Sequence, residues 1–145
     1  MAGLVLPRVT ELIYRALSED GYLMSLLPGG VNRDLIPQVE KEYPAIVFQV
    51  LSAQVARAAA GNRANTDALV EVRCICAGLN MEPLVPVADQ AFAALENASG
   101  QIDDVSMTVQ LQEEFQRTSL EATNIPFQHL GGIFVVRCSV PILPR

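Results

Sequence analysis

Two strand-like runs joined by a long stretch of small and polar residues constrain this chain most. Tyr43-Pro44 leads into Ala45-Ile-Val-Phe-Gln-Val-Leu51, and Leu69-Val-Glu-Val-Arg-Cys-Ile-Cys76 follows after Ser52–Thr66. Ordinary hairpin loops take about two to five residues. The intervening stretch is rich in Ala, Asn, Gln, Arg and Gly and holds almost nothing large and apolar. It therefore reads as an arm, 52–66, that cannot fold on itself: a partner orders it, or it stays mobile. That points to assembly rather than to catalysis.

Composition leads the same way. Half of the 145 residues are hydrophobic and only 18% are charged, against about a quarter in typical globular domains. Mean hydropathy is +0.28. A single domain of this length buries roughly two thirds of its unfolded surface, so few charges and much apolar surface suggest subunit contacts, the alternative being a well-packed monomer with an apolar skin. The net charge of −6 lacks the basic footprint of a nucleic-acid binder. It suits a wall past which DNA slides without sticking. No apolar run approaches the roughly 20 residues of a membrane span. Met1–Pro7 has no basic leader, and the odd number of cysteines shows no disulfide framework, so a reducing cytoplasm is the expected setting.

Apolar spacing predicts a helix over 8–18, from Val9, Leu12, Ile13, Ala16 and Leu17. A short helix capped by Asp20 runs to Leu27 and stops at Pro28-Gly29-Gly30. The stretch 31–38 reads as irregular or as a short edge strand, limited by Pro37. An Ala-rich helix begins near Glu82 or Pro83, carries Leu84, Val87, Ala88, Ala91, Phe92, Leu95 and Ala98 on one stripe, and ends at Ser99-Gly100. Alternation at Val105, Met107, Val109 and Leu111 marks a half-buried strand. A polar connection, 112–124, follows. Gly131-Gly132 reads as a turn that opens the last strand, 133–140. Together these predict one α+β domain over 1–145, a two-layer sandwich: a mainly antiparallel four-stranded sheet, helices packed on one face, and a long hairpin arm.

Chemistry-bearing residues are sparse. Cys74 and Cys76 with Cys138 and the only histidine, His129, could be assembled into a zinc set. Two cysteines two apart in a strand, however, project the same way about 7 Å apart instead of converging. Buried free thiols are the better reading. His129 has no Gly-x-Ser-x-Gly elbow to serve and reads as a turn residue. Asp103-Asp104 and Glu113-Glu114 point to opposite faces of a strand and read as solvated ends. Gly29-Gly30 and Gly131-Gly132 match no phosphate loop and read as turns with positive φ. No catalytic residue, metal site or cofactor is assigned.

Charge links the two polar stretches. Residues 54–66 carry +2, from Arg57 and Arg63, whereas 112–124 carry −2, from Glu113, Glu114 and Glu121 against Arg117. In a ring these would meet head to tail, setting register more than energy. Arg57, Asn62, Arg63 and Asn65, with Glu113, Glu114, Arg117 and Glu121, form the candidate interface set.

Several pieces, in their order, carry a resemblance. They are Leu26-Leu27-Pro28-Gly29-Gly30, then Ile36-Pro37 ahead of Tyr43–Gln49, the arm, and Val70–Ala77. Ala91-Phe-Ala-Ala-Leu95 and Ile133-Phe-Val-Val-Arg137 complete the series. The whole resembles the tail terminator, or tail completion, family of long-tailed bacteriophages. The resemblance implies a virion structural protein, not an enzyme, and a hexameric ring at the head-proximal end of the tail. Such a ring stops growth of the tail tube, joins tail to head connector and passes double-stranded DNA through its lumen. The partners it implies are copies of the chain, the tail tube protein and the connector, with no membrane and with assembly in the host cytoplasm. Two readings stand beside it: a head-side stopper or adaptor, and a small cytoplasmic α+β domain with a ligand or active site lined by His129, Cys74 or Glu71.

Overall fold

The computed structural model describes residues 5–34, 42–58, 63–96, 98–120 and 125–141. Its elements run α1 (Leu6–Ser18), α2 (Gly21–Ser25), β1 (Val31–Arg33), β2 (Ala45–Ala58), β3 (Arg63–Ala77), α3 (Leu84–Glu96), β4 (Ser99–Ile102), β5 (Val105–Leu120) and β6 (Pro126–Pro141). The strands form one sheet in the order β1-β2-β3-β6-β5-β4. All pairs are antiparallel except β1 with β2. The sheet curls into a half-barrel.

The helices arise where local signals predict them. α1 presents Val9, Leu12, Ile13 and Leu17 as one buried stripe, with proline tolerated in its first turn. Asp20 caps α2, its side chain accepting from the Leu23 backbone N–H at 3.0 Å and from Gln90 at 2.8 Å. These donors hold the Asp20 carboxyl below its ordinary value of 3.8. α3 buries Leu84, Val87, Ala88, Ala91 and Leu95. These stripes join Ile46 and Phe48 of β2, Val70, Val72 and Cys74 of β3, Phe134, Val136 and Cys138 of β6, and Val105 and Met107 of β5 in one core. Phe92 meets Phe134 edge-on at 5.3 Å.

The predicted two-layer α+β sandwich, a four-stranded, mainly antiparallel sheet with helices packed on one face, is corrected. The protein is mostly β, with few helices, and its single sheet is six-stranded, mixed and curled. The reason lies in three misread segments. The predicted arm is strand over most of its length: β2 continues to Ala58 and β3 starts at Arg63, with Ala58 opposite Ala64. Residues 63–67 pair with β2 on one side and with 137–141 of β6 on the other. A backbone ladder three strands wide overrides weak strand propensity. The predicted connection 112–124 is likewise strand to Leu120, paired residue by residue with the first half of β6. Residues 121–124 lie outside the described residues. Finally, Ser99-Gly100 does not merely end a helix; it opens β4, which pairs with Val105–Thr108.

Gly131-Gly132 is not a turn. Both glycines lie inside β6, and neither has a positive φ; among the described residues the positive-φ glycines are Gly30 and Gly78. A Cβ on Gly131 would run into the Val72 carbonyl oxygen and come within 2.9 Å of the Phe115 ring. One on Gly132 would lie 2.9 Å from Leu111 and 3.1 Å from Phe92. They are glycines because neighbouring strands and α3 press onto the backbone there.

Two stability outcomes follow. Gly131→Ala should cost about 1–3 kcal/mol by overpacking. Gly21→Ala, with nothing within 4 Å of the added methyl, should cost far less; equal urea midpoints for the two variants would refute the packing account. Asp20→Ala should cost about 1 kcal/mol at neutral pH. Because the folded pKa is lowered, this contribution is present above 3.8 and is lost as the pH falls through the folded value. Wild-type and variant stabilities should therefore converge in acid, as read by denaturation at stepped pH.

Candidate functional site: an open sheet face and two hairpin ends

Val70, Val72 and Cys74 of β3 and Phe134, Val136 and Cys138 of β6 project into the core from one face of the curled sheet, and the opposite face mixes polar and apolar side chains. On β3 this outer face shows Asn65, Asp67, Leu69, Glu71, Arg73 and Ile75; on β6 it shows Phe127, His129, Ile133, Val135, Arg137 and Ser139. The β5 contribution changes phase. A register shift between Leu111 and Glu113 places Ser106, Thr108 and Gln110 outward before it, and Glu113, Phe115, Arg117 and Ser119 outward after it.

This face falls into three zones. At the end near the start of β2, Val47, Ile75 and Phe127 form a small buried cluster with Tyr43, whose ring lies 5.3 Å from that of Phe127. In the middle, Glu71 pairs with Arg73 at 2.9 Å, and Arg117 stands 3.9 Å from the same carboxylate. The Arg117 guanidinium also lies 5.5 Å from the centre of the Phe115 ring. At the far end, Asn65, Asp67, Thr108, Arg137 and Ser139 line an open polar trough of about 460 Å³.

His129 is buried, and Ser119 Oγ lies 2.8 Å from its Nε2. The structure thus corrects the reading of His129 as a turn residue without a nucleophile beside it. Cross-strand geometry brings the two together, since Arg117 faces His129 and Ser119 faces Phe127. The neighbouring Thr118–Gln128 bond (2.9 Å), with Gln128 donating to the Gly78 carbonyl (3.1 Å), belongs to the opposite side of the same hairpin. These bonds tie the β5–β6 extension to the end of β3.

The candidate zinc set is split by the sheet. Cys74, Cys76 and Cys138 face the helix-lined core, while His129 faces outward. Among the described residues no group of three or more His, Cys, Asp or Glu is arranged to hold a metal. Burial pushes the Cys74 thiol up to about 12. Burial, and secondarily the Asp67 carboxylate, pushes Cys138 up to about 11. Cys76 is raised by burial too. Thiols held neutral are poor ligands and poor nucleophiles. A pocket shared by His129, Cys74 and Glu71 does not form, because Cys74 lies on the other face.

The candidate interface residues gather at two places. Arg57 lies in β2 and Arg63 opens β3, both beside the hairpin end. Asn65 is exposed opposite Ser139. Glu113, Glu114 and Arg117 are exposed on β5. Glu113 faces outward and Glu114 the other way. Asn62 and Glu121 lie outside the described residues. Arg63 is opposite Pro141 and Glu113 opposite Ile133, eight positions apart along β6, or about 27 Å. These two backbone positions are therefore far apart within one chain. The sequence reading did not single out Leu79, just after β3, or Leu120 and Ile125, at the facing ends of β5 and β6, all of which are exposed.

Comparison with known proteins returns one kind of likeness. No protein-family profile matches the chain, and no curated protein matches it. Among solved structures it is similar to a chain from the virion of a native gene transfer agent particle. The two share 16% identity with a TM-score of 0.61, over 89% of this chain and 91% of that one. At that identity the likeness is one of fold.

The thiol environment is directly testable. In the folded protein at pH 8, Cys74 and Cys138 should react with an aromatic disulfide reagent far more slowly than in denaturant, where all three cysteines react. Rapid native labelling at Cys74 would contradict the burial described.

Proposed function

We propose that this chain is a structural subunit of a phage-like virion. More narrowly, we propose that it is a tail terminator: a non-enzymatic protein whose copies join head to tail in a ring, six by the family's pattern. The ring would sit at the head-proximal end of the tail, halt tube growth and connect the tail to the head, with DNA passing through. The observation that carries this reading is the fold likeness, along nearly the whole of both chains, to a component of a gene transfer agent virion. The net charge of −6 agrees with a channel wall that does not grip DNA.

The physical case for association lies in the sheet. β2 is covered by β1 only at Ile46–Phe48, and β5 by β4 only at Val105–Thr108. Among the described residues, no strand pairs with the remaining length of either outer edge, and the two edges lie on opposite sides of the sheet. Exposed edges invite another chain. A contact joining two different surfaces closes into a ring when the rotation between copies closes. The separation of Arg57 and Arg63 from Glu113 and Glu114 fits such a contact, each group meeting its counterpart on a neighbour.

Two measurements test this. Purified chain mixed with tail tubes of the same particle should appear by electron microscopy as a cap at one tube end. Attachment to the portal side instead would assign the stopper role. No attachment to either, with a monomer at every concentration, would end the virion reading. Second, Arg57→Glu with Arg63→Glu should lower the association constant, each exposed pair contributing up to about 1 kcal/mol. Glu113→Lys or Glu114→Lys should partly restore it. Since the two glutamates face opposite ways, one of these reversals should rescue and the other should not. Unchanged oligomer size after the arginine reversals would remove the charge pairing.

A further inference from the structure

Charge is divided unevenly over this molecule. The outward phase of the sheet carries Arg73, Arg117 and Arg137 against Asp67, Glu71 and Glu113, and these cancel. Ala58 is opposite Ala64, which shares the inward phase of the buried Thr66 and Ala68. Strand alternation therefore puts the neighbouring Arg57 and Arg63 at outward positions. The outer face then sums to +2 in a chain of net charge −6, so the rest of the chain carries −8.

The same face holds an apolar stripe. Leu69 is opposite Val135, Ile133 lies between Glu71 and Glu113, and Phe115 follows beyond Glu113. All four apolar side chains are only half-buried. Beside them Arg137 stands exposed in the polar trough. Among the described residues Arg137 is in no ion pair, although Asp67 is its cross-strand neighbour. Apolar side chains with charge around them are the anatomy of a protein contact. A face for DNA would need an unbroken run of cations along the phosphates, which three interspersed carboxylates interrupt.

A complementary surface exists on the chain itself. α3 buries one stripe and contains no Lys or Arg. Its opposite side is an exposed ridge of Val85, Asp89, Ala93 and Glu96, with Glu82 just ahead of the helix; helical spacing puts all five on one side. Val85 is 46% exposed. α2, fastened to α3 by the Gln90–Asp20 bond, adds the exposed Glu19 and Tyr22. Among the described residues neither Asp89 nor Glu96 is in an ion pair. The sizes agree as well. α3 has 13 residues, about 20 Å of helix, and β2 and β5 lie three strand positions apart, about 14 Å. One ridge can therefore cross the whole stripe.

We infer that the acidic α3 ridge of one copy packs across the outer sheet face of the next, with Val85 against the Leu69–Val135 stripe and the Asp89 and Glu96 carboxylates beside Arg137. Opposite charge selects this pairing over ridge on ridge, which would set carboxylate against carboxylate. Two different surfaces meet, so the contact is heterologous. The inference rests on the head-to-tail reading above and adds a front-to-back surface to the flanks named there.

The test joins a charge swap to a cross-link. Arg137→Glu should weaken self-association about fivefold, the scale of one exposed ion pair, and Asp89→Lys or Glu96→Lys in the same chain should restore it. Unchanged association after Arg137→Glu, or a loss that neither lysine restores, would overturn the inference. For the cross-link, Gln110→Cys (exposed, opposite Val135) and Ala93→Cys (exposed on the ridge) leave every charge in place, and the native thiols are buried. A short bis-maleimide should join the two variants when mixed and neither to itself. Joining of Gln110→Cys to itself would mean sheet against sheet and overturn the inference. So would retention of duplex DNA by the wild-type chain that Arg137→Glu abolishes, which would assign the face to nucleic acid. No cross-link in the mixture while sedimentation shows oligomers would overturn the inference and leave the head-to-tail reading standing. A monomer at every concentration, with no cross-link, would overturn both.

Discussion

Everything in this molecule depends on the backbone ladder of β6. Its 16 residues pair with β3 on one side and β5 on the other along nearly their whole length. Strand 63–77 can be long because β6 is beside it, and the second half of β5 can exist because β6 continues past the core. The two glycines at the centre let neighbours close onto that ladder: Phe115 and the β3 backbone on one side, Phe92 and Leu111 on the other. The hydrogen bonds are individually worth little in net terms. Their continuity makes two polar segments into projecting, ordered hairpins.

Local signals were legible in the sequence and non-local ones were not. The α1 stripe, the Asp20 cap and the α3 stripe each follow from residues within one or two turns, and the helices form where those residues place them. The polar hairpins follow from partners distant in sequence. Ser52–Ala58 has the small, polar composition of a loop, yet its register with β3 continues to Ala58. In β5 the alternation that identifies 105–111 is broken by the shift at Leu111–Glu113, so apolar and polar residues exchange faces and the pattern looks lost. Gly131-Gly132 looked like a turn because two glycines commonly make one. Nothing in the sequence shows the strands pressed against them.

The candidate site was legible as two segments and not as a geometry. Of the charged residues in those stretches, Arg57 and Arg63 lie on β2 and β3, and Glu113, Glu114 and Arg117 on β5. Which residues cluster around them came only from the fold. Glu71 stands between Arg73 and Arg117, and Ser119 beside His129. Of these, the Ser119–His129 pair resembles a catalytic fragment most closely. Its setting, inside a hairpin whose side-chain bonds fasten β5 to β6 and β3, suits a structural tie.

The central claim is that both polar extensions are ordered strands held by β6, ready to meet a neighbour without first having to fold. Amide hydrogen exchange on the isolated chain tests this most directly. The account predicts that the ladder amides of residues 113–120 and 63–67 exchange slowly, approaching the protection of 70–75 in the core. Exchange of those segments within seconds, as in an open loop, would contradict it.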